Sequence, residues 1–300
     1  MFPDGVFTPS GWLCWSYYYM KEIKGQKFAG ERSLFMGKDL LIEDTLFEDG
    51  ESPLKESENI SLVNSTFNWK YPLWYSKNIS LKNCTLTSTA RAGIWYTHSI
   101  TLTDCEVSAP KTFRRSSEIV LENINMPNAQ ETLWECRNVG MKNITAHGDY
   151  ICMNCENMEI DKFDLIGNYA FDGAKNITIR NSKLMTKDAF WNSENITVIN
   201  SEIRGEYLGW NSKNLTFIDC TLESLQGLCY IENLVLKNCK LINTTLAFEY
   251  STVDADIDGG VDSVLNPSGG RISADFIGEL TIERDKVDPE KTHIIYKRGK

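Results

Sequence analysis

The sequence predicts an all-β fold: a single-stranded, right-handed parallel β-helix, a solenoid of about 12–13 coils with about 19 residues in each. Three observations predict it. A phrase typified by Asn59-Ile-Ser-Leu-Val-Asn-Ser-Thr-Phe67 and Asn78-Ile-Ser-Leu-Lys-Asn-Cys-Thr-Leu86 recurs with starts at 59, 78, 99, 118, 138, 157, 176, 195, 214 and 233, and in weaker form at Asp39, Thr252 and Arg271. Successive starts are 20, 19, 21, 19 and 20 residues apart, and then 19 seven times. Finally, the inward positions, counted from the leading Asn as zero, fall at 1, 3, 6, 8 and about 14 and 17. That uneven set fits neither a five- nor a six-residue helical repeat and suits coils with unequal corners.

Within a coil the first element is a half-buried strand. Its positions 1 and 3 are apolar in every copy, from Leu40 and Ile42 to Ile272 and Ala274, and Ser or Thr commonly stands between them. A second alternating pair follows, such as Cys84 and Leu86, and a third strand is expected at segments such as Leu73-Trp-Tyr-Ser76. Asn at the start of the phrase and five places later marks two corners, because Asn tolerates the left-handed backbone and stacked amides can bond coil to coil. Residues 1–38, with the aromatic run Trp12 to Met20, are expected to be an N-terminal segment and cap, 39–278 the β-helix, and 279–300 a C-terminal cap or tail.

A net charge of −10 and a pI near 5.0 argue against nucleic acid as a partner. No run is long and apolar enough for a spanning helix and no leader is read at the N-terminus, so no membrane association and a cytoplasmic location are expected. Of the nine cysteines, Cys84, Cys105, Cys220 and Cys239 share one inward column, and Cys136 and Cys155 share another with Ser76, Ser193 and Ser212. They read as small buried hydrophobes, and Cys152-Met-Asn-Cys155 as architecture, not as a redox or metal pair. The Asn-x-Ser/Thr triplets, Asn64-Ser-Thr among them, read as corner Asn followed by outward hydroxyls.

Function is sought where the repeat is not absorbed by architecture. Four places before each Asn the column runs Trp74, Trp95, Arg114, Trp134, Met153, Asp172, Trp191, Trp210, Cys229, which holds five of the eight tryptophans. The preceding residues are apolar, so these side chains are expected to point outward, beside Tyr207 and charged residues. One reading is a sugar-binding face in which Trp74, Trp95, Trp134, Trp191, Trp210 and Tyr207 stack on an oligo- or polysaccharide. The other is that the indoles stack on one another as a ladder or are covered by the N-terminal segment. Arg114, Asp149, Asp172 and Asp188 are the candidate catalytic or polar contacts. Paired carboxylates would serve glycoside hydrolysis, and carboxylates with calcium and an Arg base would serve β-elimination from a uronide. Asp149 and Asp188 lie two coils apart, about 10 Å, which is wide for a hydrolytic pair.

No cofactor or metal is expected. Asp254-Ala-Asp-Ile-Asp-Gly259 resembles the start of a calcium loop, which leaves calcium as the alternative, but Leu265 stands at the twelfth place and the apolar residues between the aspartates continue the strand. His98, His147 and His293 support no triad.

From Phe28 to Leu280 the chain resembles a bacterial family of pectin-lyase-like right-handed β-helix proteins, a domain of unknown function. The resemblance rests on Phe28-Ala-Gly-Glu-Arg-Ser-Leu-Phe35, Tyr71-Pro-Leu-Trp74, Lys187-Asp-Ala-Phe-Trp-Asn192, Gly205-Glu-Tyr-Leu-Gly-Trp-Asn211, Leu246-Ala-Phe-Glu-Tyr250 and the segment from Asn266-Pro267 to Gly278. It implies the fold and supplies no reaction. The galacturonase pattern of the same fold is absent, with Ala146-His-Gly148 a poor echo. Carbohydrate binding or processing is therefore the leading expectation. A non-enzymatic scaffold that self-associates or binds a protein through the same face is the alternative.

Overall fold

The computed structural model describes residues 20–297. Parallel strands stack coil upon coil in register, with Ile60 opposite Ile79, Ile100 opposite Ile119, Val139 opposite Met158 and Ile177 opposite Ile196. At the steady coil spacing a rod on the order of 60 Å long results. The two strands of a coil are separate in places, as in Glu58–Val63 and Thr66–Phe67. Elsewhere they merge into one bent strand, as in Arg137–His147 and Glu156–Ile166. The bend is one left-handed residue, for example Asn64 at φ 50° or Asn143 at φ 56°.

The expected third strand is mostly absent. Among the described residues Ile94–Trp95 pairs with Phe113–Arg114 and a bridge carries Arg114 on to Trp134, and near the end Gly260–Leu265 pairs with Phe276–Thr281, with a bridge from Ala247 to Val264. In the other coils this side is a run of turns, because alternate residues such as Leu133 and Glu135, Phe171 and Gly173, and Phe190 and Asn192 have φ between 52° and 68°. Strand geometry requires negative φ. Coil-to-coil hydrogen bonding survives the change, as in Tyr75 N to Trp95 O at 2.9 Å and Asn192 N to Trp210 O at 2.9 Å.

The solenoid also extends beyond the expected limits of 39 and 278. Lys21–Lys24 pairs with Lys38–Glu43 at the start, and Thr292–Tyr296 pairs with Gly269–Ala274 at the end. Trp12 to Tyr19 and Cys14 lie outside the described residues. The step from Val253 to Gly270 is 17 residues, not 19, with Ala255 facing Ile272, and the next, from Gly270 to Thr292, is 22. Ile272 thus takes position 3 of its coil instead of position 1. Gly270, at φ 108°, fills position 1 because a Cβ there would lie 2.0 Å from the Val253 carbonyl oxygen.

Inside, the predicted columns are buried, including Phe67, Phe113, Phe163, Phe171, Phe190 and Phe217. Phe171 and Phe190 stack with ring centroids 5.3 Å apart. The eight described cysteines are buried thiols. Burial pushes the Cys229 thiol up to about 12 and those of Cys152 and Cys155 well above their ordinary value. Such thiols are poor nucleophiles.

Outside, two asparagine ladders fasten the corners. In the first, Asn157, Asn176, Asn195, Asn214 and Asn233 each donate from Nδ2 to the Oδ1 of the Asn one coil earlier, at 2.8 to 3.1 Å. Asn83, Asn143 and Asn200 do the same in the second. Beside the first ladder runs a column of alternating charge. It pairs Lys38 and Lys77 with Glu58, Arg137 with Glu156, Lys175 with Glu194 and Lys213 with Glu232. Each exposed pair contributes at most about 1 kcal/mol. Alternation nevertheless sets register, because a slip of one coil would bring like charges together.

Candidate functional site

The turn side of the solenoid carries three adjacent outward columns. The middle one holds the tryptophans. Each indole is half-buried, and its Nε1 donates to a backbone carbonyl of the next coil. Trp95 reaches Lys111 O at 2.8 Å, Trp134 reaches Tyr150 O at 2.5 Å, Trp191 reaches Tyr207 O at 2.6 Å and Trp210 reaches Gln226 O at 2.9 Å. Trp74 does the same to Ala92 O at 2.5 Å. These bonds hold the ring planes across the solenoid axis, so neighbouring rings become rungs. Trp74 and Trp95 stack at 5.1 Å and 7°, and Trp191 and Trp210 at 5.7 Å and 7°. Both separations are close to the coil spacing, which means the rings use their faces on each other.

Arg114 belongs to this stack. Its guanidinium carbon lies 4.7 Å from the centroid of Trp95 and 4.5 Å from that of Trp134, and Glu131 lies 3.6 Å from its Nη2. Tyr71 closes the near end against Trp74 at 4.5 Å. From Tyr71 to Trp134 the rungs are therefore complete: ring, ring, ring, cation, ring. A more exposed column runs alongside, with Tyr75 on Tyr96 at 4.8 Å, then Arg115, whose Nε lies 2.7 Å from Glu135. Tyr207 meets Trp210 edge-on at 5.2 Å.

Two coils break the pattern. Where the middle column should hold rings it holds Met153 and Asp172, and in the exposed column the bulky Tyr75, Tyr96, Arg115 and Glu135 give way to Asn154 and Gly173. Gly173 is left-handed at φ 68°, and a Cβ there would lie 2.1 Å from Asn154 Oδ1, so nothing larger fits without displacing that amide. Both outer columns thus shrink together. The result is an interruption of both columns, a notch in the aromatic stripe three coil steps long, about 14 Å, between Trp134 and Trp191. Among the described residues no ring or guanidinium stacks on the Trp134 face toward Met153 or on the Trp191 face toward Asp172. Along the other side of the notch Tyr150 and Tyr169 stack at 4.8 Å.

Asp149, Asp172 and Asp188 all lie in or beside this notch, but they do not form a pair with one another. Asp149 Oδ1 accepts from the backbone N of Asn168 at 2.8 Å, and Asp172 Oδ1 accepts from Asn192 Nδ2 at 2.9 Å. Neither has a cationic partner among the described residues, and the second oxygen of each has no protein hydrogen bond. Asp188 is only 4 % exposed, and its Oδ1 is buried without a partner. Burial pushes its carboxyl above the ordinary carboxylate range, against the opposing pull of Lys187. Lys187 is held by Glu206 at 3.0 Å.

The remaining candidates resolve into architecture. Asp254, Asp256 and Asp258 point outward and pair with Arg271, Lys297 and Lys240. Among the described residues no three His, Cys, Asp or Glu side chains converge as a metal site, and no helix is long and apolar enough to cross a membrane. A concavity of about 650 Å³ lies away from the aromatic side at the second asparagine corner. It is shallow, and Asn143, Lys162, Asn181 and Asn200 line it with no exposed ring. Sequence reading placed Met153 and Asp172 in the tryptophan column but missed Tyr150, Asn154 and Gly173. The available signal was Gly173 standing in a column otherwise rich in Tyr, Arg, Glu and Asn.

Residues 21–295 match the family model described as Protein of unknown function (DUF3737). No curated protein matches the sequence. Among solved structures the chain is similar to the A-module of the mannuronan C-5 epimerase AlgE4 of Azotobacter vinelandii, at 11% identity over 88% of this chain and 91% of that one, with a TM-score of 0.35. It is similar to PfbA, a surface adhesin of Streptococcus pneumoniae, at 8% identity over 87% and 83%, with a TM-score of 0.39. It is also similar to the periplasmic alginate epimerase AlgG, at 13% identity over 85% and 76%, with a TM-score of 0.31. At these values none of the three bears on activity.

Proposed function

The chain belongs to that family of unknown function, and from that premise we propose that it binds a carbohydrate chain in the notch between Trp134 and Trp191. The observation that carries the reading is the pair of missing rungs. A pyranose entering there takes their place, its apolar C–H face against Trp134 or Trp191 and its hydroxyls toward the free oxygens of Asp149 and Asp172. The rings are already fixed by their Nε1 bonds, so stacking on them costs little ordering entropy. Trp74, Trp95 and Arg114 have their faces filled by each other, and their role is to hold the wall at Trp134 upright.

Hydrolysis is a second reading, favoured by Asp188. A carboxyl whose proton is held more tightly because of burial, at the rim of a sugar site, can serve as a general acid.

The test is titration of the chain with neutral, amino and uronic oligosaccharides, read by tryptophan fluorescence and by the appearance of new reducing ends. Trp134→Ala and Trp191→Ala are each expected to lose at least about tenfold in affinity, roughly 1.4 kcal/mol, while Trp74→Ala stays within about twofold. A folded chain that binds no member of the panel, or equal losses from all three variants, overturns the reading. New reducing ends that vanish in Asp188→Asn select hydrolysis over binding alone.

A further inference from the structure

The charges around the notch differ in kind from those around the completed rungs. Beside the rungs, carboxylates and cations interleave: Glu131 lies 3.0 Å from Lys111 and 3.6 Å from Arg114, and Glu135 pairs with Arg115. Arg91, exposed on the coil of Trp95, has no acidic partner among the described residues. The notch coils hold Asp149, Asp172 and Asp188, and no cation forms an ion pair with any of them. The one basic residue at hand, Lys187, is taken by Glu206. Three carboxyls without an ion pair thus gather at the place where two indole faces have no ring or guanidinium against them. A ligand carboxylate entering that field is repelled, and a ligand ammonium offsets it.

We infer that the glycan taken by the notch is an amino sugar with free ammonium groups, a glucosamine-type oligomer, and not a uronan. This rests on the notch being a carbohydrate site. Stacking on Trp134 and Trp191 supplies the part of recognition common to all pyranoses. The second oxygens of Asp149 and Asp172, which have no protein partner, supply the part that selects charge.

Calorimetry of the full chain at low salt and mildly acidic pH, with tetramers of glucosamine, N-acetylglucosamine, glucose and mannuronate, tests it. The expected order is glucosamine tightest by at least about tenfold over glucose and N-acetylglucosamine, with no measurable mannuronate binding. Asp149→Asn combined with Asp172→Asn keeps the oxygen that accepts each internal hydrogen bond, so the fold is preserved, and it brings glucosamine within about threefold of glucose. Mannuronate binding as tightly as glucose, or a glucosamine preference that survives the double substitution, overturns the charge inference and leaves the notch standing as a glycan site. No binding by any of the four overturns the notch reading itself.

Discussion

Two stretches of one outward column behave in opposite ways. From Tyr71 to Trp134 every coil supplies a ring or a guanidinium, each face is covered by its neighbour, and the acids are paired. From Trp134 to Trp191 two coils supply Met153 and Asp172, two indole faces have no ring or guanidinium against them, and the acids have no ion pair among the described residues. The backbone beneath is the same, with turns bonded coil to coil on both sides of the boundary. The difference teaches that an aromatic stripe on a solenoid is not by itself a binding face. Where the stripe is continuous it consumes its own surface, and recognition is available only where it is interrupted.

The sharpest way to break this comparison is to ask whether the interruption is confined to the surface. Phe113 lies under the completed rungs and Phe171 under the notch, and both are fully buried. Phe113→Ala and Phe171→Ala are each expected to cost about 3–5 kcal/mol in chemical denaturation. A far smaller loss at Phe171 would make the notch a loosely packed defect in the solenoid instead of a feature of its outer face.

Charge gives a smaller effect of opposite sign in the two stretches. Glu131→Gln breaks contacts to Lys111 and Arg114 and is expected to lower stability, by up to about 1 kcal/mol. Asp188→Asn is expected to raise it, by about 1 kcal/mol at neutral pH, because it removes the charge from a buried carboxyl whose oxygen has no partner. The pH dependence follows from the raised carboxyl. The folded chain holds the Asp188 proton more tightly than the unfolded one, so the wild type has its full stability below the ordinary carboxylate range. It loses the Asp188 contribution as pH rises through the raised value. Melting temperatures of wild type and Asp188→Asn should therefore coincide at acid pH and separate above it. A constant gap at all pH values would assign the effect to packing.

Much of the fold is legible in the sequence because every coil repeats the statement. Twelve apolar residues in succession at position 1, from Leu40 to Val253, and recurrent Asn at two corners leave little freedom, and the asparagine ladders follow from the columns. The third side was not legible, because its left-handed positions are carried by Leu133, Phe171, Cys152 and Phe190, whose types give no sign of positive φ. The shortened coil from Val253 to Gly270 was hidden in the same way, since Ile272 looks like a position-1 residue and Gly270 does not. At the candidate face the tryptophan column could be read directly, and so could its gap. Whether the rings lay flat against solvent or edge-out as rungs depends on Nε1 bonds to carbonyls 16 or 18 residues away, and no local pattern encodes those.

The central claim is that only the indoles bordering the interruption have faces to offer. The indole N–H resonances of the folded chain, followed by heteronuclear NMR during titration with an oligosaccharide that binds, test it most directly. Trp134 and Trp191 are expected to shift together while Trp74 and Trp95 stay fixed. Shifts spread evenly along Trp74, Trp95, Trp134, Trp191 and Trp210 would contradict it and return the whole stripe to a single, undivided surface.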